Sequence, residues 1–148
     1  MPKRKPTTVS YAELHCLSNF SFLRGASHPH ELLSSAAELG YTAIAITDEC
    51  SLSGIVRAYR ASQEHNIKLI CGAEFILDEG IHLVLLAPVR QAYTELCSLI
   101  SRARLHSSKG NYQLNLGDLR RYSQHCFAIW INPDETEHYA SELKQYFG

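Results

Sequence analysis

Five polar side chains stand where the predicted strands of this sequence end or begin, which is where a fold of alternating strands and helices would hold a bound cation. One ends the first strand, two directly follow the second, one lies late in the third and one opens the fourth: His15, Asp48, Glu49, Glu74 and His82. Ligands in parallel α/β folds bind beyond the carboxyl ends of the strands, so these side chains are expected at one rim. Imidazole and carboxylate groups suit a transition metal such as zinc or manganese, which activates a water for hydrolysis.

Each of these residues also has a structural interpretation. A single histidine near a strand end, such as His82, is more often a hydrogen-bonded core residue than a metal ligand. Asp48 directly after a strand is equally consistent with a loop carboxylate that accepts hydrogen bonds from backbone N–H groups, and Glu49 with a solvated side chain. Glu74 is harder to explain in this way, because a carboxylate inside an apolar strand must be paired or liganded to offset the cost of its desolvation.

Apolar strands alternate with amphipathic helices along the chain, and these elements must position the polar side chains. Runs of apolar residues predict strands at 11–16, 42–47, 68–77, 81–87 and 126–131. Helical spacing predicts helices at 29–39, 52–65, 89–104, 116–122 and 134–146. The dipeptide Glu79-Gly80 indicates a hairpin between the third and fourth strands. The alternation predicts an α/β fold with mainly parallel strands and one hairpin.

The composition is that of one globular domain, with 148 residues of which 45% are apolar and 20% charged. A flexible basic tail at 1–10 is expected to precede a single domain at 11–148. The net charge of −1 excludes the overall positive field on which sequence-independent nucleic-acid binding depends. A local basic cluster of Arg102, Arg104, His106 and Lys109 is the best nucleic-acid candidate, and the nucleic-acid-binding residues are left unassigned.

The cysteines and the absence of long apolar segments indicate the cellular compartment of the protein. Five cysteines, an odd number with no Cys-x-x-Cys pair, are typical of reduced thiols in the cytosol. No apolar stretch approaches the roughly 20 residues of a membrane span, and no apolar segment follows the basic start as it does in a signal peptide. We therefore expect a cytoplasmic protein with no membrane partner.

Four sequence segments, in this order along the chain, resemble the successive motifs of the PHP (polymerase and histidinol phosphatase) domain. They are LHCLSNFSFLRG at 14–25, AITDECSLSG at 45–54, CGAEF at 71–75 and HLVLLA at 82–87. The phrases SNFSFLRGASHP and AITDECSLSGIVRA are similar to the N-terminal region of bacterial error-prone DNA polymerases, C-family relatives of the polymerase III alpha subunit. The resemblance covers residues 9–148. It implies a distorted seven-stranded (βα) barrel with a metal cluster at its carboxyl rim, of which this chain would form the first half or somewhat more.

The resemblance assigns three of the polar side chains to metal-ligand positions of the family. His15, Glu74 and His82 match ligands, and Glu49 stands where the family has a histidine, so that it still offers oxygen. The resemblance thus implies a vestigial or weak metal site at these four residues, with a weakly bound zinc or manganese as the cofactor to test for. No residue is assigned a catalytic role.

Two other ligand positions of the family are lost in this sequence. Leu17 replaces the second histidine of the family's His-x-His motif, and Arg24 replaces an acidic residue. Asp48 is retained at the rim. A guanidinium beside Glu49 or Glu74 would replace the charge of the metal by an ion pair, which predicts a degenerate, structural PHP domain.

The resemblance favours a noncatalytic N-terminal segment that braces the core of an error-prone polymerase. It implies that the parent chain uses Mg²⁺ to synthesise DNA across damaged template, and that this segment alone is inactive and reaches DNA only through the parent. One alternative is a metal-dependent phosphoesterase or 3′–5′ exonuclease, against which Leu17 and Arg24 argue. Another is a stand-alone protein-binding module. Absent barrel strands would leave a sheet edge and an apolar face uncovered, so self-association is also expected.

Overall fold

The computed structural model describes residues 10–148. The predicted basic tail therefore lies, except for its last residue, outside the described residues. The described helices and strands, in chain order, are β1 (Ala12–Glu13), α1 (Pro29–Glu38), β2 (Ala43–Ile46), α2 (Ile55–Glu64), β3 (Lys68–Ile76), β4 (His82–Ala87), α3 (Arg90–Leu105), α4 (Leu116–Tyr122), β5 (Phe127–Trp130) and α5 (Ala140–Phe147).

The five described strands form one curled sheet in the order β1-β2-β3-β4-β5. β1, β2 and β3 are parallel to one another, whereas β4 is antiparallel to both of its neighbours. Four of these strands therefore run in one direction, and the turn at Glu79-Gly80 joins the β3–β4 hairpin. The predicted α/β class with mainly parallel strands and one hairpin is confirmed.

The helices cover one face of the sheet. Leu83 and Leu85 of β4 lie in a buried cluster with Leu96 and Leu99 of α3. A second buried cluster joins α1 and α2 to β2. Because side chains alternate along a strand, Val84 and its neighbours at even positions point to the opposite face of the sheet. The polar side chains of the rim lie on that opposite face of the sheet.

The ends of the chain's first strand and last helix differ from the predicted bounds. β1 pairs with β2 over only two residues, after which the backbone N–H of Cys16 donates to Oγ1 of Thr47. The helix predicted at 134–146 begins at Ala140, after two short 3-10 turns at Pro133–Glu135 and Glu137–Tyr139. Thr136 explains this delay, because its hydroxyl accepts from Trp130 Nε1 at 3.1 Å and donates to the Asn132 carbonyl at 3.0 Å.

Among the described residues, no helix is long and apolar enough to cross a membrane.

Candidate functional site

Glu74 is the buried centre of the candidate site. It lies in β3 on the face opposite Ala73 and Phe75, and its side chain has no exposed surface. Its backbone is held by the segment that follows β2, because its N–H donates to the Asp48 carbonyl at 3.2 Å and its carbonyl accepts from Cys50 N at 2.8 Å. The carboxyl end of β2 and the middle of β3 are therefore joined next to the carboxylate.

Three basic side chains surround the Glu74 carboxylate. His15 Nε2 lies 2.6 Å from Oε2 of Glu74. His82 Nε2 lies 2.9 Å from Oε1 of Glu74, but this second contact does not have the geometry of a hydrogen bond. Arg24 Nη1 donates to Oε1 of Glu74 and, at 3.0 Å, to Oε2 of Glu49. Burial by itself would raise the pKa of Glu74, but Arg24, His15 and His82 together hold that pKa below its ordinary value of 4.5. Glu74 is thus ionised at neutral pH and balanced by Arg24.

The loop at 18–27 delivers Arg24 to this position. The backbone N–H groups of Arg24 and Gly25 both donate to the Ser21 carbonyl at 3.0 Å, and Asn19 N donates to the Ser27 carbonyl at 2.9 Å. Leu23 has a left-handed backbone with φ of 61°, a conformation that costs about 1 kcal/mol in a residue with a Cβ. The hydrogen bonds on either side of Leu23 hold the chain in this turn and direct Arg24 inward.

Asp48 anchors the same loop. Its Oδ1 accepts from Ser18 N at 2.8 Å and from Ser21 Oγ at 2.7 Å, while its Oδ2 accepts from Ser18 Oγ at 2.7 Å. All three residues are buried. Both carboxylate oxygens of Asp48 therefore accept hydrogen bonds from the loop.

Replacement of Asp48 by alanine is expected to destabilise the protein by about 2–4 kcal/mol, because it leaves three buried donors without an acceptor. Asp48→Asn is expected to cost less, since the Ser18 hydroxyl can turn and accept from the new amide. Urea unfolding of both variants measures the difference. Equal losses for Ala and Asn would show that the hydrogen bonds to Ser18 and Ser21 are not what Asp48 contributes.

Tyr112 and Arg104 extend the charge cluster, and neither was predicted to lie at the rim; the sequence placed Arg104 only in the basic cluster considered for nucleic acid. The Tyr112 hydroxyl donates to Glu49 Oε1 at 3.1 Å and accepts from Ile76 N at 2.9 Å. Burial is the main reason why the pKa of Tyr112 is raised, so the phenol keeps its proton. Arg104 donates to the Cys50 carbonyl at 3.2 Å, and its guanidinium lies 5.3 Å from the centre of the Tyr112 ring. Tyr112 thus bonds one oxygen of the Glu49 carboxylate and Arg24 bonds the other.

Arg102, Arg104 and His106 of the basic cluster at the end of α3 make contacts within the chain, although Arg104, His106 and Lys109 are exposed. Arg102 Nε lies 3.3 Å from Asp118 Oδ1, and Arg104 also donates to the Asn111 carbonyl at 3.2 Å. His106 Nδ1 lies 2.9 Å from the Arg102 carbonyl. The sequence signal for nucleic-acid binding was the charge of these side chains, and in the folded chain much of that charge stabilises the loop that follows α3.

The donor set at Glu74 does not fit a cluster of divalent cations. Arg24 stands between Glu49 and Glu74, where a cation would contact both carboxylates. A histidine nitrogen that donates its proton has no lone pair for a metal, and His15 Nε2 is within hydrogen-bond distance of Glu74. Leu17 has no ligand atom. In the part of the chain that the structure describes, no group of three or more His, Cys, Asp or Glu side chains is arranged to hold a metal ion.

Several known protein chains are similar in sequence to this one. Over 143 residues the chain is 52% identical to an error-prone DNA polymerase of Alkalilimnicola ehrlichii. The aligned region covers 95% of this chain and 14% of the relative. Over 138 residues it is 51% identical to an error-prone DNA polymerase of Pseudomonas aeruginosa, with 93% of this chain and 13% of the relative covered. The chain thus spans about one seventh of the length of these curated relatives.

Solved structures match over a shorter part of the chain. A protein described as a metal-dependent phosphoesterase from Bifidobacterium adolescentis is 26% identical, with a TM-score of 0.54 over 64% of this chain and 33% of its own. An amidohydrolase from Chromobacterium violaceum, solved with sulfate and no metal, is 27% identical with the same TM-score and coverage. A family profile described as PHP domain matches residues 13–145. With nine tenths of its residues inside that match, and the motifs of the rim in their expected order, the chain belongs to the PHP-domain family.

Proposed function

We propose that this chain is the N-terminal PHP segment of an error-prone DNA polymerase and that its role there is structural. The observation that carries the proposal is the guanidinium of Arg24, which bonds both Glu49 and the buried Glu74. A fixed positive charge at this place neutralises the rim without a metal. His15, Glu49, Glu74 and His82 then act as a vestigial ligand set that stabilises the fold.

The relatives support a role inside a larger polymerase. The error-prone polymerases that match this chain are DNA polymerases of which it covers only 13–14%. The core of the same parent polypeptide is the partner that we propose for the segment, and DNA is reached through that core. Synthesis across damaged template, with Mg²⁺ at the polymerase site, is then an activity of the parent. The five free cysteines favour a cytoplasmic location.

Metal content of the purified chain, after dialysis against metal-free buffer, tests the proposal. We expect less than about 0.2 zinc or manganese per chain, well below the one ion that a closed site holds. In the double variant Leu17→His, Arg24→Asp we expect a measurable gain, because it restores two ligand types and removes the competing guanidinium. The matched control is Leu17→His, Arg60→Asp, in which the same change in charge falls on the exposed surface of α2. One or more tightly held ions in the unmodified chain would contradict the proposal.

A metal-dependent phosphoesterase or 3′–5′ exonuclease is the second candidate. It is favoured by the solved relative described as a metal-dependent phosphoesterase and by the retention of His15, Glu74 and His82. Hydrolysis of a generic phosphodiester or of a 3′ DNA end by the unmodified chain, dependent on added manganese or zinc and lost in His82→Ala, would favour it. We expect no such hydrolysis, because Arg24 bonds both Glu49 and Glu74, where a cation would contact the two carboxylates.

A third candidate is a stand-alone protein-binding module. It is favoured by the outer edge of β5, which pairs with no strand among the described residues, and for the same reason we propose that the chain self-associates. If the first proposal is right, the polymerase core, supplied as a separate chain, binds this chain. If the chain is a stand-alone protein-binding module, the core does not bind it.

A further inference from the structure

Phe22 and Leu23 form an exposed apolar pair at the turn of the loop at 18–27. Their side chains are 84% and 89% exposed, more than any other large apolar side chain of the described residues. Single exposed apolar side chains are common on protein surfaces, but here two adjacent ones stand almost entirely in water. Contacts within residues 10–148 therefore do not account for the apolar character of the pair.

The backbone at position 23 is unfavourable for a leucine. The φ of Leu23, 61°, lies in the left-handed region, where the following carbonyl crowds a Cβ and glycine or asparagine is favoured. Since the Leu23 side chain is almost fully exposed, no burial within the described chain offsets this strain. Strain that brings no local gain indicates that the side chain serves a contact with another surface.

The rest of the loop holds the apolar pair in one conformation. Ser21, directly before the pair, is buried, and its hydroxyl donates to Asp48 Oδ1 at 2.7 Å and accepts from Glu49 N at 3.0 Å. The ring of Phe20 lies against α2, with the Arg57 guanidinium 5.4 Å from its centre. The pair is therefore preorganised, which lowers the conformational entropy that it loses on entering a recess.

We propose that the apolar pair docks into an apolar recess on the part of the parent polypeptide that lies beyond residue 148, a contact that rests on the proposed function, in which this chain belongs to a longer polymerase. The chain matches the N-terminal region of error-prone polymerases and covers only 13–14% of their length. Most of such a polypeptide therefore lies outside the described residues. Aromatic side chains are enriched in the cores of protein interfaces, where burial removes apolar surface from water.

The size of the pair favours a partner in the same polypeptide over a separate molecule. An aromatic side chain buries about 150–250 Å², so the two side chains together bury about 400 Å² at most. A specific interface between separate proteins buries about 1,200–2,000 Å² in total. A contact within one polypeptide needs less area, because the covalent link supplies a high effective concentration. A second copy of this chain has no such link.

The chemistry of the pair also argues against DNA as the occupant. Neither side chain carries a charge for a phosphate, and leucine has no ring on which a base can stack. The neighbouring guanidinium of Arg24 is already bonded to Glu49 and Glu74. An apolar protein surface is the occupant that fits both side chains.

Thiol labelling at position 23 tests whether the pair is covered in the parent polypeptide. Leu23→Cys in the chain of 148 residues is expected to react with a maleimide as fast as an exposed thiol. In the parent polypeptide we expect the reaction to be at least about tenfold slower. Mass spectrometry of the labelled peptides separates this thiol from the native Cys97, which is also exposed.

Val56→Cys, on the exposed surface of α2, is the matched control for the labelling. Its thiol is expected to react at the same rate in the chain and in the parent polypeptide. Equal rates at position 23 in the two polypeptides would overturn the proposal. So would a slowing of the same size at position 56, since the protection would then not be specific to the loop.

Leu23→Asn tests the origin of the strain. Asparagine adopts the left-handed backbone more readily than leucine, so the melting temperature of the 148-residue chain is expected to stay the same or to rise. A fall of more than about 4 °C would show that Leu23 packs within the chain, and it would overturn the proposal.

Hydrogen exchange in the parent polypeptide measures the loss of docking. The double variant Phe22→Ser, Leu23→Asn is expected to raise the amide exchange rates of the loop at 18–27 at least about tenfold, because the loop no longer docks. Val56→Ser is the control, and it should leave the exchange of this loop unchanged. Exchange that the double variant does not accelerate would overturn the proposal.

Failure of this contact and failure of the proposed function are distinguishable. Bound metal in the unmodified chain would contradict the proposed function whatever the labelling rate. Equal labelling of position 23 in a chain free of metal would refute only the docking contact.

Discussion

Arg24→Ala is expected to lower the free energy of unfolding by about 2–3 kcal/mol at neutral pH. Removing one partner of a buried ion pair costs about 3–5 kcal/mol, and the exposure of the Arg24 side chain, which is 36%, reduces this figure. Glu74 would remain fully buried with only two histidines near its carboxylate. Urea unfolding measures the loss. Arg60→Ala on the exposed surface of α2 is the control, and it should change stability by no more than about 0.5 kcal/mol.

A double-mutant cycle with Glu74→Gln shows whether the loss comes from this ion pair. Because the neutral amide no longer needs a counter-charge, Arg24→Ala should cost less in the Glu74→Gln background, with an interaction energy of about 1 kcal/mol or more. Losses that add to within about 0.5 kcal/mol would mean that the two side chains do not stabilise each other. The Arg24 guanidinium would then be only a surface charge near the rim.

Gly25→Ala is expected to destabilise the protein by about 3 kcal/mol or more and to displace the loop that carries Arg24. A Cβ at Gly25 would lie 2.0 Å from the Ser18 carbonyl oxygen and 2.4 Å from its carbon. Both are backbone atoms, so the clash cannot be relieved by turning a side chain. Since Ser18 is tied to Asp48, moving the backbone would also break buried hydrogen bonds.

Gly117→Ala is the matched control for this change. Its Cβ would meet only the Asn115 side chain, at 3.1 Å, and alanine favours a helix by up to about 1 kcal/mol over glycine. Thermal unfolding of both variants should therefore show a large loss at Gly25 and little change or a gain at Gly117. A Gly25→Ala variant as stable as the unmodified chain would contradict the role of this close approach.

The order of helices and strands could be predicted because it depends on periodicity within each segment. The run of apolar residues in 81–87 and the helical spacing in 89–104 are local, and β4 and α3 begin and end within one residue of those bounds. The late start of α5 could not be predicted in this way. It depends on the hydrogen bonds of Thr136 with Trp130 and Asn132, which acid-rich helical spacing at 134–146 does not show.

The candidate site was predictable only in part. A buried carboxylate at Glu74 needs a charged or hydrogen-bonding partner. The resemblance to the PHP domain indicated Arg24 as that partner. The positions of Tyr112 and Arg104 beside the rim could not be predicted, since they reach Glu49 and Cys50 across 63 and 54 residues of sequence. Contacts of that range are set by how the loop after α3 packs, and nothing in the local pattern of residues indicates it.

The cation that faces Glu74 is part of the polypeptide itself. The loop at 18–27 tethers the guanidinium beside the carboxylate, so its local concentration is set by the length and turn of that loop and not by the surrounding solution. A protein whose folding is coupled to a metal loses stability when a chelator or scarcity removes the ion. The Arg24–Glu74 pair is complete as soon as the chain is synthesised and folded, and no change in metal supply can dissociate it.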